Sequence, residues 1–331
     1  DYLLAALESE LRPDPFALWA QGTRLGVPSQ ELVAEAHRLL GRLLAAEDPE
    51  AAEQHLLRAG DEDMLAVLQA CQAEIDPARR HLLLGAAFLR REDLPLARRH
   101  LERSVALGPD DSEALAYLGH TLDRLGETTA GRLALEQSIA LDPDSTIAQY
   151  FLAIHHRQVG NVKKAQAVLW QALLREPANA ALQAEMARCF EELGDYPQAE
   201  EWYQAAVEAA PEDPGFQLLL AQFYVDHLYR VEEGGVPAAQ KAVDMAADEP
   251  AVHDVLGWAY VLAGQPVEGE QSLRQALALD PGLVRAHFHL GSLYARSGSR
   301  AQASYHIQRA VDLDTTGFYR ERAQVILNDL E

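Results

Sequence analysis

Residues 112–145 and 146–179 can be written one under the other, and the same residue classes then fall in the same columns. Leu118, Gly119, Leu122, Gly126, Gly131, Leu135, Ser138 and Pro143 stand above Leu152, Ala153, His156, Gly160, Ala165, Leu169, Ala172 and Pro177, each 34 residues on. A fixed period of this length constrains the fold more than any other feature of the chain. Each unit is one supersecondary element that cannot bury its apolar face alone, so successive units must stack.

The columns have physical reasons. Leu115, Leu118, Leu122 and Leu125 recur every three or four residues, which makes one helix face apolar. A second helix has to cover it. Gly119 and Ala153 are small where the two backbones approach, because a large side chain there would overpack. Gly126 and Gly160 fall where the first helix stops and suit a left-handed C-terminal residue, and Pro143 and Pro177 end the second helix. Each unit reads as helix, tight turn, helix, stop.

The same register runs through seven units. Residues 78–111 carry Leu84, Gly85, Phe88, Ala97, Leu101, Ser104 and Pro109, and residues 180–213 carry Met186, Ala187, Phe190, Gly194, Ala199, Tyr203, Ala206 and Pro211. A fifth unit from Pro214 keeps Leu220, Ala221 and Tyr224 and then departs, Asp226 to Pro237 reading as a longer, mobile loop with Gly234, Gly235 and an exposed Tyr229. Residues 250–283 return to register with Leu256, Gly257, Tyr260, Gly264, Gly269, Leu273, Ala276 and Pro281. Residues 284–317 follow with Leu290, Gly291, Tyr294, Gly298, Ala303, Ile307 and Ala310, with Thr315 where proline would stand.

This pattern resembles the tetratricopeptide repeat (TPR), and the resemblance covers 78–317. It implies an all-α fold, a right-handed α-α superhelix of antiparallel helix pairs. Residues 1–77 are helical in pattern but irregular in period. Asp1–Leu11 and Phe16–Leu25 read as short helices, Ser29 as the N-cap of a helix to Ala46, Asp48 as the cap of Glu50–Ala59, and Asp61 as the start of Glu62–Ile75. Two degenerate repeats, 13–46 and 47–77, with Ala66, Ala70 and Ala73 in second-helix columns, are one reading of this region. A separate helical cap is the other. Phe318–Glu331 reads as a polar helix covering the last repeat.

The formal net charge of −23 argues against nucleic acid, which needs a positive surface, and favours an acidic protein that keeps away from its own copies, although a homo-oligomer stays open. Lysine occurs only at Lys163, Lys164 and Lys241. Cys71 and Cys189 lie in different helical segments and read as small buried hydrophobes. No run of the roughly 18 apolar residues a membrane span needs is present, so direct membrane insertion by this chain is not expected. The chain opens at Asp1 without an initiator methionine or a signal peptide and reads as a soluble segment of something longer, with a cytoplasmic setting slightly favoured.

No nucleophile elbow, zinc-protease pair, Walker loop or dinucleotide fingerprint occurs, so no catalytic residue, metal or cofactor is expected. The neighbouring histidines 155/156 and 287/289 are spaced too poorly on a helix to share a metal. The resemblance implies that the first helices line a concave groove, touching a ligand from the second, fifth, ninth, twelfth and thirteenth positions of each repeat. Carried over by position, this places Arg79, Arg90, His120, Arg124, Tyr150, Arg157, Arg188, Gln222, Trp258, Arg285, Phe288 and Arg296 on the wall, beside Glu113, Asp123, Glu191, Glu192, Asp226 and Asp254. Arg124, Tyr150, Arg157, Arg188, Gln222, Trp258, Phe288 and Arg296 are the candidate partner-binding residues, and Phe288 is expected beside Trp258.

The family's carboxylate clamp, a lysine at the fifth position and an asparagine at the ninth, is absent: the fifth position holds Leu82, Ala116, Tyr150, Ala184, Leu218, Asp254 and Phe288. A non-catalytic scaffold binding a protein or peptide segment with apolar anchors and some acidic residues is the expected function. The alternative is the TPR module of a larger enzyme or membrane protein, such as a glycosyl-transfer or ligase system, with its chemistry outside this chain.

Overall fold

The computed structural model describes residues 30–45 and 48–330, so the helices expected at Asp1–Leu11 and Phe16–Leu25 and the cap expected at Ser29 lie outside the described residues. Among the described residues every regular element is a helix. The chain divides into two compact units, one up to Phe151 and one from Leu152.

In the first unit, α1 (Gln30–Leu44), α2 (Pro49–Ala59) and α3 (Glu62–Gln72) precede the regular pairs α4 (Pro77–Arg90) with α5 (Leu94–Leu107) and α6 (Ser112–Arg124) with α7 (Thr128–Leu141). Aspartates start most of these helices: Asp48, Asp61, Asp76, Asp93 and Asp111 each accept a backbone N–H from the first turn that follows. Where helices pair, small residues let them touch. A Cβ on Gly85 or Gly119 would stand 2.6 or 2.7 Å from Cγ of Leu101 or Leu135, inside any tolerable contact. The core that results runs from Met64, Leu68 and Cys71 through Leu84, Phe88 and Leu101 to Leu118 and Leu122.

The same interlock recurs at Gly41, where a Cβ would stand 2.6 Å from Leu56 Cγ. Among the described residues upstream of residue 78 a close pairing therefore joins α1 to α2, whereas the overlay of 13–46 and 47–77 as two repeats pairs α2 with α3. From Gly41 to Leu56 is one residue shorter than from Gly85 to Leu101, and this slip hides the pair from a fixed-period reading. Asp61, at the head of α3, is buried, with Arg91 2.9 Å and Arg42 3.2 Å away.

The second unit holds the later part of α8 (Thr146–Gln158), then α9 (Val162–Arg175), α10 (Ala180–Glu192), α11 (Tyr196–Ala209), α12 (Pro214–Asp226), α13 (Val236–Met245), α14 (Pro250–Leu262), α15 (Pro266–Leu279), α16 (Val284–Arg296), α17 (Arg300–Leu313) and α18 (Arg320–Leu330). Gly257 and Gly291 interlock with Leu273 and Ile307 as their counterparts do upstream. A polar latch also repeats at the fourth position. Gln183 Nε2 donates to Pro177 O at 2.7 Å, and His253 and His287 Nε2 reach Ala247 O and Pro281 O at 2.7 and 3.2 Å. In the first unit Gln149 Nε2 makes the same bond to Pro143 O at 2.7 Å. Each latch satisfies a carbonyl in the turn just past the end of the preceding helix.

The irregular stretch after Asp226 is not a free loop. It forms a single π turn, Val231–Gly235, that runs into α13. Tyr229 is half-buried against the core rather than standing out, and the Tyr224 ring lies so close to Gly234 that a Cβ there would come within 2.6 Å of it. The nearly buried Glu200 gathers this stretch, accepting from Tyr224 Oη at 2.6 Å, Tyr229 Oη at 3.3 Å and both carboxylate oxygens' worth of Arg230 Nη1 at 2.8 and 3.0 Å. At the other end, α18 packs on α17 and buries Ala323.

Candidate partner-binding face

Arg157 on α8, Arg188 on α10 and Gln222 on α12 converge on one pocket of about 300 Å³, whose wall also includes Glu191, Glu192, Tyr203, Leu219, Phe223 and Asp226. Leu219, Gln222, Phe223 and Asp226 follow the i, i+3, i+4, i+7 rule, which turns all four to one face of α12. That spacing was the available signal for Leu219 and Phe223, which the position-by-position transfer passed over.

The arginines here are engaged. Arg157 Nε lies 2.5 Å from Glu185 and its Nη1 2.6 Å from Glu192. Burial works against its charge, but Glu185 and Glu192 more than offset this and hold its pKa above the ordinary value. Arg188 makes a longer contact to Glu185, 3.4 Å, and its side chain is 37% exposed. Tyr203 Oη donates to Glu191 at 2.5 Å; burial first, and the Glu191 charge second, push the phenol well above its usual range. Beneath the face Cys189 is sealed, burial raising its thiol to about 12.

Further along the unit, Trp258 and Phe288 do not form the expected aromatic pair. The Trp258 indole lies flat on His289, centroids 4.6 Å apart and planes 2° from parallel, while Phe288 leans on Tyr319 at 5.1 Å. Trp258 is half-buried and packs against the cores on both sides of it. Asp254, expected on an open wall, is 1% exposed. It accepts from His289 Nδ1 at 2.8 Å, and Arg285 Nε lies 3.0 Å from its other oxygen as an ion pair off the hydrogen-bond line. Arg285 also reaches Asp226 at 3.2 Å, and Arg296 is exposed at the end of α16.

The remaining candidates lie in the first unit. Arg124 is exposed and paired with Glu92, Arg79 meets Glu113 at 2.5 Å, and Tyr150 is half-buried, 5.6 Å from Phe151. His120 stacks on Phe151 with centroids 4.3 Å apart. Burial, helped by the Arg124 charge, lowers its pKa to about 4. Sequence position alone thus placed the arginines correctly on the first helices but missed that acids one repeat away engage most of them.

Antiparallel helix pairs repeated every 34 residues, with polar and aromatic side chains brought to one face, define a helical-repeat interaction scaffold. Two family models described as tetratricopeptide repeat match the chain, one over residues 156–223 and the other over 82–146 and 255–317. The chain belongs to the tetratricopeptide repeat family, whose members are generally non-catalytic scaffolds for protein partners.

Among solved structures, a tetratricopeptide repeat protein from Parabacteroides merdae is similar at 13% identity and a TM-score of 0.57, over 76% of this chain and 98% of its own. The human IFIT1 dimer with m7Gppp-AAAA is similar at 15% identity and 0.65, over 99% and 84%. Cut9 in its complex with Hcn1 is similar at 16% and 0.59, over 87% and 56%. At these identities the likeness is one of fold. A search of curated protein sequences returned no match.

Proposed function

We propose that this chain is a scaffold that binds an extended or helical protein segment across the first helices of its second unit, with Arg188 and Gln222 as polar contacts and Trp258 and Phe288 as apolar ones. The observation that carries this reading is the convergence of Arg157, Arg188 and Gln222 with Tyr203 and Phe223 on one pocket. Ion pairing with Glu185 and Glu192 pre-orients Arg157, so little side-chain freedom remains to be lost on binding. Mixed aromatic and arginine surfaces of this kind are where binding energy concentrates in protein interfaces. IFIT1 is seen with m7Gppp-AAAA, but a net charge of −23 opposes phosphate binding here and favours a protein segment. Panning a displayed library of peptides against the wild-type chain and against Arg188→Glu tests the reading. Enrichment of sequences that the variant no longer retains supports it; equal enrichment on both, or none on the wild type, refutes it.

A further inference from the structure

Three helix pairs carry the same unusual contact. His37 faces His55, His81 faces His100 and His287 faces His306, with Nδ1 to Nδ1 distances of 2.7, 3.0 and 2.9 Å. Each pair joins the residue four before the interlocking glycine of a first helix to the residue just before that glycine's leucine or isoleucine partner on the second, and in each one ring is buried: His37, His100 and His287 are under one-tenth exposed. Six of the twelve histidines are spent this way. The pairs fall in the outer of the described repeats along the sequence. Interior repeats put Gln149 with Val168, and Gln183 with Trp202, at these positions.

The pair in α16 and α17 shows what the contact demands. His287 Nε2 donates to Pro281 O, which leaves its Nδ1 as the acceptor, and His306 Nδ1–H must therefore be the donor. One proton can be added, at His306 Nε2. A second could go only onto His287 Nδ1, where it would put two imidazolium groups nose to nose. The surroundings resist even the first. Burial, the facing His287 and Arg274 from α15 lower the His306 pKa to about 4. Burial also lowers His287, Arg309 on α17 adding to this, with the Pro281 carbonyl and the Asp280 charge opposing it. The Tyr294 and Tyr305 rings flank His306 at 5.7 and 5.0 Å. At the equivalent crossing of α4 and α5, burial, His81 and Arg99 bring His100 down to about 3, with the Phe88 ring stacked on it at 5.3 Å.

We propose that the histidine pairs make the outer repeats acid-labile, a pH-sensitive device in which each crossing holds at most one proton while the unfolded chain holds two. The sign follows from linkage. These folded-state pKa values lie below the unfolded value of about 6.5, so the stabilisation is complete above that pH and is lost as pH falls from there toward about 4. Most of that window lies above the range in which ordinary carboxylates titrate. The interior repeats that latch Gln149 to Pro143 and Gln183 to Pro177 have no histidine pair at this crossing and so lack this dependence.

The test uses the full chain and a variant borrowed from its own third repeat, His287→Gln with His306→Val, which reproduces Gln149 and Val168. Urea unfolding is followed at about pH 7 and pH 5. Each excluded proton should raise the wild-type unfolding constant about twentyfold over that span relative to the variant, so a rise of at least that size is expected. Parallel wild-type and variant profiles overturn the proposal. Histidine titration of the wild type by NMR is the second measurement, independent of the variant's folding. At least one ring of the 287/306 pair staying neutral in folded protein at pH 5 supports the device, and both rings titrating near 6.5 while the repeat stays folded overturns it.

Discussion

Leu228 occupies the backbone position that Gly194 holds 34 residues earlier: both are left-handed, with φ of 52° and 74°. Gly126, Gly160, Gly264 and Gly298 fill the same place in other repeats. A left-handed L-residue costs about 1–2 kcal/mol, and the Leu228 side chain, 67% exposed, recovers little of it. Leu228→Gly should therefore stabilise the chain by about 1 kcal/mol after glycine's greater chain entropy is counted. A higher urea midpoint at unchanged slope is the expected result; an unchanged or lower midpoint counts against it. Glu92, φ 60°, is the same case with a smaller gain, since its carboxylate pairs with Arg124.

Gly257→Val should be among the most damaging single changes. The new Cβ would sit 2.7 Å from Leu273 Cγ, 2.9 Å from its backbone nitrogen and 3.0 Å from Gly269 O, and backbone cannot step aside. A loss of about 3 kcal/mol is expected, read from thermal unfolding, whereas Gly→Val at exposed Gly282 should cost far less.

Asp61→Asn keeps a capping oxygen on Met64 N but removes the charge facing Arg42 and Arg91. It should cost about 2 kcal/mol at neutral pH. Burial would raise the Asp61 pKa, but the Met64 amide, Arg91 and Arg42 together hold it below the ordinary value. Its stabilisation is therefore present above the unfolded value of about 3.9 and lost as pH falls through the folded one. The gap between wild type and variant should close below about pH 4, and a gap constant with pH would contradict the assignment.

Trp258→Ala and Gln222→Ala should separate packing from contact. Trp258 supports cores on both sides and covers His289, so its loss is expected to lower stability by about 3 kcal/mol. Gln222, half-buried at the pocket, should cost under about 0.5 kcal/mol in melting experiments, leaving any effect on peptide retention attributable to the face itself.

The repeat register and the small residues at helix crossings were legible because each answers to backbone geometry that recurs with the period, and the caps at Asp48 and Asp61 because each stands just before a helical stretch. The pairing of Gly41 with Leu56 was not, because a one-residue slip breaks the period while preserving the contact. Glu92 and Leu228 were not, because nothing in a glutamate or leucine announces a left-handed backbone. The candidate face was legible as a set of positions but not as a set of contacts. Whether an arginine is open or engaged depends on acids 28 to 35 residues away, as Arg157 with Glu185 and Glu192 shows, and no local pattern reports that distance.

The cluster at Glu200 bears on how such an array can change length over generations. A unit such as 112–145 can be copied or removed with its glycines and its proline intact, since these act within the unit and its ion pairs to the preceding unit are exposed. Residues 214–249 cannot be removed as cleanly. Glu200, in the preceding unit, would keep its buried carboxylate and lose Tyr224, Tyr229 and Arg230 at one stroke. The irregular repeat is thus one that inheritance cannot delete without also changing its neighbour, and descendants of this chain should keep it more often than a unit such as 112–145.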